Sequence, residues 1–477
     1  MERMPLRGPF IRGSSRVTGG VTEVRSPQTG EVVTRVRQAG RQDVLEAIEA
    51  AVEGFARTRR MASHERAGIL ARIADNLSRR GEELARVLAL EAGKPLKAGT
   101  VEVQRCAHTF RHAAEEAGRI GGEVIPMDVV SWGEGRTAIT RRFPLGVIAA
   151  ITPFNFPLNL AAHKIAPALA AGNSVILKPA SQTPSPAILL AECAAEAGAP
   201  TGAVNVVPCS AADAEPLVTD ERIKMLTFTG SSAVGWDLKR RAGKKRVTLE
   251  LGGNAAAIVC ADCDLDQAAG RVVSGGFSYA GQSCISVQRV LVASRCQEDF
   301  LGRLLPMVKA LKVGDPLDEA TDVGPMITRA EAERVEGWIG EAVAGGATVL
   351  TGGTREGSIV HPTVLAGTRP DMKVNCREVF APVVTITPFD SLDSALAVVN
   401  DSVFGLQAGI FTRESEAAWR AFETLEVGGV MVNDVPTWRV DHMPYGGLKD
   451  SGLGREGLRW AIEEMTELRL MVWNRGH

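Results

Sequence analysis

The chain has 477 residues, of which 45% are hydrophobic and 23% are charged, and its formal net charge at pH 7 is −2. This is the composition of a globular protein of about three domains. The balanced charge argues against a nucleic-acid partner, because such binding depends on a concentrated basic surface. No stretch approaches the ~18 consecutive apolar residues that cross a membrane. The eight cysteines are too sparse for a disulfide framework, so we expect a soluble, cytoplasmic protein with no membrane partner.

Predicted helices occupy the first part of the chain, where apolar residues recur at helical spacing over 43–96. From Gly146 the pattern changes to short β-branched runs that alternate with Ala-rich stretches of helical length, such as Leu158–Ala171 and Pro186–Ala197. The predicted strands of this first series are Val147–Ile151, Ser174–Leu177, Val204–Val207, Met225–Phe228 and Val247–Leu251. Such alternation predicts parallel strands joined by right-handed crossovers.

A second series of predicted strands and helices runs from Val290 to Val432. We therefore expect an α/β fold with two doubly wound α/β domains. Two strand-like segments, Arg136–Arg142 and Leu468–Trp473, fit neither series. Terminal strands of this kind often pair with another subunit, so we assign them to a small β oligomerisation arm. The expected division is residues 1–122 and 145–252 for the first domain, 253–447 for the second domain, and 123–144 and 448–477 for the arm.

Cys284 follows a glycine-containing turn in the segment YAGQSC. A turn at this point would present the thiol at the end of a secondary-structure element, where unpaired backbone N–H groups favour the reactive thiolate. The alternative is a buried structural cysteine, since free cysteine is among the most buried residue types. The spacing alone leaves both interpretations open.

Two further polar residues follow predicted strands. Glu250 ends an apolar run and precedes two glycines, and burial there would raise its pKa towards that of a general base. Asn155 lies in a loop bracketed by prolines, where its side-chain amide could donate to a developing oxyanion. The structural alternatives are a carboxylate that accepts backbone hydrogen bonds and an ordinary turn asparagine.

The segment FTGSSAVG, residues 228–235, follows a predicted strand and opens a predicted helix. Backbone N–H groups at such a helix start bind phosphate, so this is a candidate pyrophosphate turn. The pattern matches neither G-x-G-x-x-G nor a Walker loop, and by itself it is a weak signal.

Taken together, these segments resemble the aldehyde dehydrogenase superfamily of the NAD(P)-dependent, non-acylating kind. The resemblance runs from about Ser26 to the C-terminal strand. It implies that the first domain, residues 1–122 and 145–252, is a Rossmann-like NAD(P)-binding domain and that the second, 253–447, is the catalytic domain. The segments that carry it are PFNFP (Pro153–Pro157), ILKPASQTP (Ile176–Pro184), FTGSSAVG (Phe228–Gly235), LELGG (Leu249–Gly253), GQSC (Gly281–Cys284), EVFAPV (Glu378–Val383) and PYGGLKDSGLGREG (Pro444–Gly457).

The resemblance implies a role for each matching residue. Cys284 is then the nucleophile that adds to the aldehyde, and the Asn155 amide with the Cys284 backbone N–H forms the oxyanion hole. Glu250 is the base that activates water to hydrolyse the resulting thioester. The implied cofactor residues are Glu378 and Phe380 at the nicotinamide ribose and ring, Lys178 at the adenosine ribose, and Gly230, Ser231 and Gly235 in the phosphate turn.

One position departs from NAD-preferring relatives, which commonly carry Glu three residues after the lysine. Here that position is Ser181. A small hydroxyl beside Lys178 removes a charge that would repel the 2′-phosphate and leaves a cation to bind it. We therefore expect NADP to be accepted, or even preferred, while NAD remains usable.

The expected substrate is a small polar aldehyde, with an anionic head group as one alternative. Segments such as GQSCISVQR and TWRVDHMPYGGLKDSG are similar to relatives that act on lactaldehyde, semialdehydes and phosphonoacetaldehyde. The candidates for binding an anionic head group are Arg105, His163, Arg289 and Arg439. Alternatively, these residues form surface or interdomain ion pairs. Ser283 stands where some members with phosphorylated substrates carry Arg, which weakens a glyceraldehyde-3-phosphate interpretation.

Other functions receive less support from the sequence. Cys260 and Cys263 have zinc-knuckle spacing, but no second pair completes four ligands, so we expect no metal site. Relatives that transfer the acyl group to coenzyme A lack the base at Glu250, so we expect the free acid as product. A coenzyme A-acylating enzyme and a non-catalytic structural relative are the alternatives. We expect the chain to form a homodimer or homotetramer.

Overall fold

The computed structural model describes residues 5–17 and 19–475. Its helices lie in both halves of the chain and are, in order, α1 Arg41–Thr58, α2 Ser63–Arg79, α3 Gly81–Ala92, α4 Leu96–Ala117, α5 Asn159–Ala171, α6 Ser185–Glu196, α7 Glu215–Thr219, α8 Ser232–Arg241, α9 Leu265–Phe277, α10 Gln297–Lys309, α11 Arg329–Ala344, α12 Lys373–Cys376, α13 Leu392–Asn400, α14 Ser415–Thr424 and α15 Leu458–Glu464. The helical region expected over 43–96 is therefore several helices, and it continues into α4.

The strands are, in order, β1 Phe10–Ile11, β2 Ser14–Ser15, β3 Val21–Arg25, β4 Val32–Arg37, β5 Val124–Ile125, β6 Arg136–Pro144, β7 Val147–Ile151, β8 Ser174–Lys178, β9 Val204–Val206, β10 Ile223–Thr229, β11 Arg246–Glu250, β12 Ala256–Val259, β13 Arg289–Ala293, β14 Thr348–Thr351, β15 Arg355–Glu356, β16 Ile359–Val360, β17 Thr363–Ala366, β18 Val383–Phe389, β19 Phe404–Gly405, β20 Gln407–Phe411, β21 Gly429–Val432, β22 Leu448–Lys449, β23 Gly452–Leu453 and β24 Thr466–Asn474. The five strands predicted between 147 and 251 are all present, with ends that differ by at most two residues.

The first large sheet has the strand order β2-β1-β9-β8-β7-β10-β11-β23. Its central strands β9, β8, β7, β10 and β11 are parallel. Successive residues of β7 belong to different apolar clusters, with Ile148 packed among α2, α4, α5 and α6 and Val147 packed beside α1. Helices therefore cover both faces of the sheet, which is the doubly wound arrangement expected from the sequence.

The second large sheet has the strand order β14-β17-β18-β13-β12-β20-β21. All of its pairings are parallel except that between β14 and β17. The apolar cluster of this sheet is separate from that of the first and includes residues of α9, α10 and α11. The α/β fold class expected from the sequence is confirmed.

A third sheet is formed by β5, β6 and β24, in the order β24-β6-β5. It brings together the two segments assigned to the arm, with Thr466 opposite Pro144 and Asn474 opposite Arg136. Residues 448–465, however, do not belong to this sheet. The strand β23 pairs with β11 and α15 packs against α5, because the apolar side chains of α15 are buried in the first core. Of the residues expected in the arm, Thr466–Asn474 thus lie in this third sheet, and residues 476–477 lie outside the described residues.

No helix within residues 5–17 and 19–475 is both long enough and apolar enough to cross a membrane. The carboxyl ends of the parallel strands β7, β8, β10 and β11 lie at one edge of the first sheet. Loops that follow such ends are where ligands bind in open α/β sheets. The residues singled out from the sequence follow these strands, so the topology brings them towards one place.

Candidate active site

A deep cleft with a volume of about 980 Å³ lies where the loops of the first sheet meet those of the second. It contains most of the residues that the sequence singled out. Those that line it are Arg105, Asn155, Gly230, Ser231, Glu250, Cys284, Glu378, Phe380 and Arg439. We refer to this space below as the cleft.

Cys284 is held in the cleft by a sharp turn after α9. Tyr279, Ala280 and Gly281 all have left-handed backbone conformations, with φ of 50°, 52° and 65°. A Cβ added at Gly281 would lie 2.2 Å from the carbonyl oxygen of Ala381, so only glycine fits there. The turn places the Sγ atom of Cys284 2.8 Å from the Tyr445 hydroxyl.

The environment of the Cys284 thiol both opposes and favours its ionisation. Burial raises the pKa of the Cys284 thiol to about 12, while the hydrogen bond from Tyr445 and the charge of Arg439 lower it. Glu378 and Glu250 also raise it through their charge. The two groups that favour the thiolate are therefore Tyr445 and Arg439.

Asn155 lies in the loop that follows β7 and is buried. Its Nδ2 donates a hydrogen bond to the backbone carbonyl of Gln282, over 3.0 Å. This bond fixes the amide beside the turn that carries Cys284. The structure therefore brings the expected oxyanion donor and the expected nucleophile together.

Glu250 ends β11 at the floor of the cleft, and its side chain is buried. Neither carboxyl oxygen has a hydrogen-bond partner among the described residues. Burial, and then the charge of Glu456, raises the pKa of Glu250 well above its usual range. An unpaired buried carboxyl group with a raised pKa is the form that a general base takes at a reaction centre.

The expected pyrophosphate turn lies at the start of α8, after β10. Gly230 and Ser231 line the cleft directly. Gly235 lies on the first turn of α8 against the first core, where an added Cβ would come within 2.4 Å of Leu251. The backbone N–H groups at this helix start are placed to receive phosphate oxygens.

Glu378 and Phe380 lie on the opposite wall of the cleft. The Glu378 carboxylate accepts a hydrogen bond from the Gly253 backbone N–H, over 2.9 Å, and burial raises its pKa to about 7. A Cβ at Gly252 would lie 2.4 Å from this carboxylate, so the missing side chain leaves a cradle in the wall. A helix start on one side and a glycine cradle with a carboxylate on the other fit a dinucleotide between them.

Lys178 and Ser181 lie outside the lining of this cleft, at the carboxyl end of β8. Burial lowers the pKa of Lys178, and its Nζ lies 3.4 Å from the Pro179 carbonyl. Ser181 is exposed, and its neighbour Gln182 lines the cleft. These residues are therefore positioned next to the cleft, beyond the phosphate turn.

A group of ionisable residues adjoins the cleft, which we call the charged cluster; all are largely buried except Arg105, which is partly exposed. Its members are Arg105, His163, Lys164, Arg439, Asp441 and Glu456. Asp441 accepts hydrogen bonds from Arg105, over 2.7 Å, and from His163, over 2.8 Å. Glu456 accepts from Lys164, over 3.0 Å, and from Arg439, over 3.2 Å. The two carboxylates thus fix the two arginines at the cleft wall.

Arg439 retains a free donor within this cluster. Its Nε is buried and has no hydrogen-bond partner among the described residues, although the side chain lines the cleft. Its guanidinium lies over the Tyr445 ring, with Cζ 3.6 Å from the ring centroid. A buried guanidinium N–H without a partner is costly, so this donor is an unusual feature of the cleft wall.

Two of the four basic residues expected at the substrate lie elsewhere. The guanidinium of Arg289 donates to the backbone carbonyls of Asn254, over 3.0 Å, and Val398, over 3.0 Å, and does not line the cleft. The structure therefore does not place Arg289 where the sequence analysis expected it, because the carbonyls of Asn254 and of Val398 in α13 hold it away from the cleft. His163 is buried behind Arg439 and Asp441 and reaches the cleft only through them.

Sequence reasoning missed several members of the site: Lys164, Asp441, Tyr445 and Glu456. Tyr445 and Glu456 lie within the segment PYGGLKDSGLGREG, which was noted only as a mark of resemblance. Lys164 is a buried lysine next to His163 in the mostly apolar helix α5, and a lysine in such a helix was the available signal. In the part of the chain that the structure describes, no three His, Cys, Asp or Glu side chains are grouped as metal ligands.

Comparison with known proteins identifies the family of the chain. The sequence model of the aldehyde dehydrogenase family matches residues 15–471. The fold and the cleft define a dinucleotide-dependent oxidoreductase, and the chain belongs to the aldehyde dehydrogenase family. It is an NAD(P)-dependent enzyme that oxidises aldehydes.

Three proteins illustrate what the chain is similar to. It is 46% identical over 468 residues to a 3-sulfolactaldehyde dehydrogenase from Priestia aryabhattai, with 98% of each chain covered. It also matches the crystal structure of aldehyde dehydrogenase 21 from Physcomitrella patens in complex with the reaction product succinate, with 42% identity, a TM-score of 0.97 and 98% of each chain covered. A glyceraldehyde-3-phosphate dehydrogenase from Methanocaldococcus jannaschii, complexed with NADP, is 39% identical with a TM-score of 0.91, covering 95% of this chain and 99% of that one.

Proposed function

We propose that this enzyme oxidises a small aldehyde with an anionic head group to the free carboxylic acid, by way of a thioester on Cys284. The observation that carries the proposal is the free Nε of Arg439, a buried guanidinium donor in the wall of the cleft that holds Cys284. Arg105, held by Asp441, supplies a second guanidinium at the same wall. Planar guanidinium groups bind carboxylate and related anions in fixed geometry.

The first step is carried by Cys284 and Asn155. The thiolate of Cys284 adds to the carbonyl carbon, and the carbonyl electron pair moves to its oxygen. Asn155, fixed by its bond to Gln282, stabilises the resulting oxyanion together with the Cys284 backbone N–H. Bound NAD(P) supplies the acceptor for the hydride that leaves the same carbon.

Residues of both walls are placed to hold the cofactor. The start of α8, with Gly230 and Ser231, receives the pyrophosphate, and Glu378 and Phe380 hold the nicotinamide end. Lys178 and Ser181 lie where the adenosine ribose would reach. Because Ser181 carries no charge, we propose that NADP is accepted alongside NAD.

Glu250 carries the second step. Its free carboxylate takes a proton from water, and the water oxygen attacks the thioester carbon, which releases the acid and the Cys284 thiolate. Its neighbour Glu456 binds Lys164 and Arg439, whereas both carboxyl oxygens of Glu250 have no hydrogen-bond partner among the described residues. Because Glu250 can activate water, we favour hydrolysis of the thioester over transfer of the acyl group to coenzyme A. The test is turnover in the absence of coenzyme A, which hydrolysis allows and acyl transfer does not.

The charges beside the cleft favour a substrate with a single negative charge. Arg105, Lys164 and Arg439 are cationic, and Asp441 and Glu456 are anionic. Burial and the charge of Arg439 lower the pKa of His163, which keeps it neutral. One positive charge is therefore left over, which suits a carboxylate or a sulfonate. Two relatives support an anionic substrate: one is named a 3-sulfolactaldehyde dehydrogenase, and the other was crystallised with its reaction product succinate.

The test compares aldehydes of equal length with and without a terminal carboxylate or sulfonate. We expect the anionic aldehyde to have a kcat/KM at least about tenfold higher, as a charged hydrogen bond contributes about 1.5–3 kcal/mol. In the Arg105→Gln variant the KM for the anionic aldehyde should rise by a similar factor, while the neutral aldehyde is unaffected. Arg111→Gln, on the same helix but paired with Ser78 at the surface, is the matched control. Equal kcat/KM for both aldehydes in the unaltered enzyme would contradict the proposal.

The proposal includes a homo-oligomer, a homodimer or homotetramer. The strand β24 lies at one edge of the third sheet, and β21 lies at one edge of the second. The side chains Leu468, Leu470, Met471, Val472 and Trp473 are all about half exposed, on both faces of β24. Open edges with apolar side chains favour pairing with another copy. A Leu470→Glu variant that stays associated, as measured by light scattering, would count against this surface.

The remaining parts of the proposal concern domain division and location. We propose that residues 1–122 and 145–252 form the NAD(P)-binding domain, that 253–447 form the catalytic domain, and that 123–144 and 448–477 form the arm. We also propose a cytoplasmic location, which the free thiols of all eight cysteines favour.

A further inference from the structure

Tyr445 makes a contact with the reacting sulfur that the steps above do not use. Its hydroxyl oxygen lies 2.8 Å from Cys284 Sγ. The residue is buried in the loop between β21 and β22, and it packs with Ile285 and Leu406 around the cysteine. Its backbone exchanges two hydrogen bonds with Glu456, over 3.1 and 2.7 Å. The ring is therefore fixed, and the hydroxyl is directed at the sulfur.

The direction of this hydrogen bond follows from the surroundings of the phenol. Burial raises the pKa of Tyr445 well above its usual range, so the hydroxyl keeps its proton. A protonated phenol donates, and an ionised sulfur accepts. Among the described residues, Cys284 Sγ is the hydroxyl's hydrogen-bond partner. The contact thus favours the thiolate over the thiol.

The charged groups that face Cys284 come from several elements. Glu250 from β11 and Glu378 from the loop before β18 oppose its ionisation, and Arg439 from the loop after β21 favours it. Arg439 also lies over the Tyr445 ring at 3.6 Å. A cation over the ring face stabilises the ring in this position and polarises the phenol as a donor. These three charged groups act on the sulfur through their charge, whereas Tyr445 forms a direct hydrogen bond with Sγ.

We propose that Tyr445 is a catalytic residue whose hydroxyl donates to Cys284 Sγ and stabilises the thiolate both as nucleophile and as leaving group. The inference rests on the proposed role of Cys284. When the sulfur bonds to the carbonyl carbon, the carbonyl electron pair moves to oxygen and Tyr445 keeps its proton. When the thioester is hydrolysed, the C–S bond breaks, the electron pair returns to sulfur, and the hydroxyl donates to it again.

The test is the alkylation rate of Cys284 with iodoacetamide, in which the C–S bond forms and iodide leaves. The Tyr445→Phe variant removes only the hydroxyl and retains the ring under Arg439. We measure the rate from the mass of the Cys284 peptide between about pH 6 and 10, where the rate rises with the thiolate fraction. Loss of a charged hydrogen bond raises the pKa of the thiol by about one or more. A thiolate with a higher pKa is also a stronger nucleophile, and this offsets about half of the effect of the smaller thiolate fraction. We therefore expect Cys284 in Tyr445→Phe to be alkylated about three- to tenfold more slowly than in the unaltered enzyme at each pH.

Tyr279 is the only other tyrosine of the chain, but it lies in the turn that holds Cys284 and is therefore not used as the control. The control is the exposed thiol of Cys376, which donates to the Asp371 carbonyl and does not line the cleft. The Tyr445→Phe variant should leave the alkylation rate of Cys376 unchanged. Equal alkylation rates for Tyr445→Phe and the unaltered enzyme across the pH range would overturn the inference.

A second measurement covers the case in which Tyr445→Phe does not fold. In the Tyr279→Phe background, biosynthetic 3-fluorotyrosine replaces Tyr445 alone. Fluorine makes the phenol a stronger donor, so Cys284 should be alkylated faster at neutral pH than in the Tyr279→Phe enzyme with ordinary tyrosine. An unchanged or slower rate than in that enzyme would overturn the inference. Aldehyde oxidation by a Cys284→Ala variant tests the nucleophile separately, so a failure of the Tyr445 role leaves the proposed function standing.

Discussion

Replacing Glu250 by Gln isolates the second half of the reaction. The amide has the same shape, so Cys284 and the cofactor walls are undisturbed, but it cannot take a proton from water. Both carboxyl oxygens of Glu250 are unpartnered in the structure, so no existing hydrogen bond is lost. A general base typically contributes a factor of about 10²–10⁴. We therefore expect kcat to fall by that factor, which raises the barrier by about 3–5 kcal/mol.

The assay is stopped-flow absorbance of the reduced cofactor. Because hydride leaves before water attacks, the Glu250→Gln variant should show a rapid burst of about one reduced cofactor per active site, followed by slow turnover. The acid limb of the pH profile should also disappear. Since the pKa of Glu250 is raised, the unaltered enzyme gains rate as pH rises and the carboxylate forms.

Glu91 provides the matched control for this substitution. It is also a buried glutamate, and burial raises its pKa to about 7, but its carboxylate accepts from the Ser185 backbone N–H, away from the cleft. Glu91→Gln should leave both the burst and kcat within about twofold of the unaltered enzyme. Steady-state turnover by Glu250→Gln at the unaltered rate would refute the assignment of Glu250 as the base.

Two further predictions concern the cofactor and the charged cluster. Ser181→Glu should lower kcat/KM with NADP by at least about tenfold while that with NAD is retained, because a carboxylate repels the 2′-phosphate; Ser181→Ala is the control, and equal losses with both cofactors would contradict the placement. In the cluster, burial would raise the pKa of Glu456, but Lys164 and Arg439 lower it to about 2. Because this pKa is lower in the folded state than the ordinary value of 4.5, the ionised Glu456 stabilises the fold by on the order of 3 kcal/mol at pH values above 4.5. This stabilisation is lost as the pH falls from about 4.5 towards 2. The difference in unfolding free energy between the unaltered enzyme and Glu456→Gln should therefore shrink over that range, and a difference independent of pH would count against the pairing.

The sequence predicted the parts of the site that follow strands. Glu250 ends β11 and Asn155 lies in the loop that follows β7, and parallel strands carry such residues to one edge of the sheet. The alternation of strands and helices was sufficient to predict the doubly wound fold, because a crossover must cover a face of the sheet. Local pattern and known topology together were enough for these residues.

The rest of the site depends on contacts between distant parts of the chain. Lys164 and Glu456 are 292 residues apart, and no local pattern indicates that they pair. The Tyr445 hydroxyl reaches Cys284 across 161 residues. The position of Arg289 has the same cause, since the carbonyls that bind it come from the loop at Asn254 and from α13. No local pattern indicates that the apolar side chains of α15 pack beside α5.

The central claim is that the Cys284 thiol forms the bond to the aldehyde carbon, and its direct test is reduction of NAD(P) by a Cys284→Ala variant. Cys376, an exposed free cysteine far along the chain, provides the control variant Cys376→Ala. We expect no measurable reduction with any aldehyde by Cys284→Ala and the full rate by Cys376→Ala. Oxidation of aldehyde by Cys284→Ala at the rate of the unaltered enzyme would contradict the account.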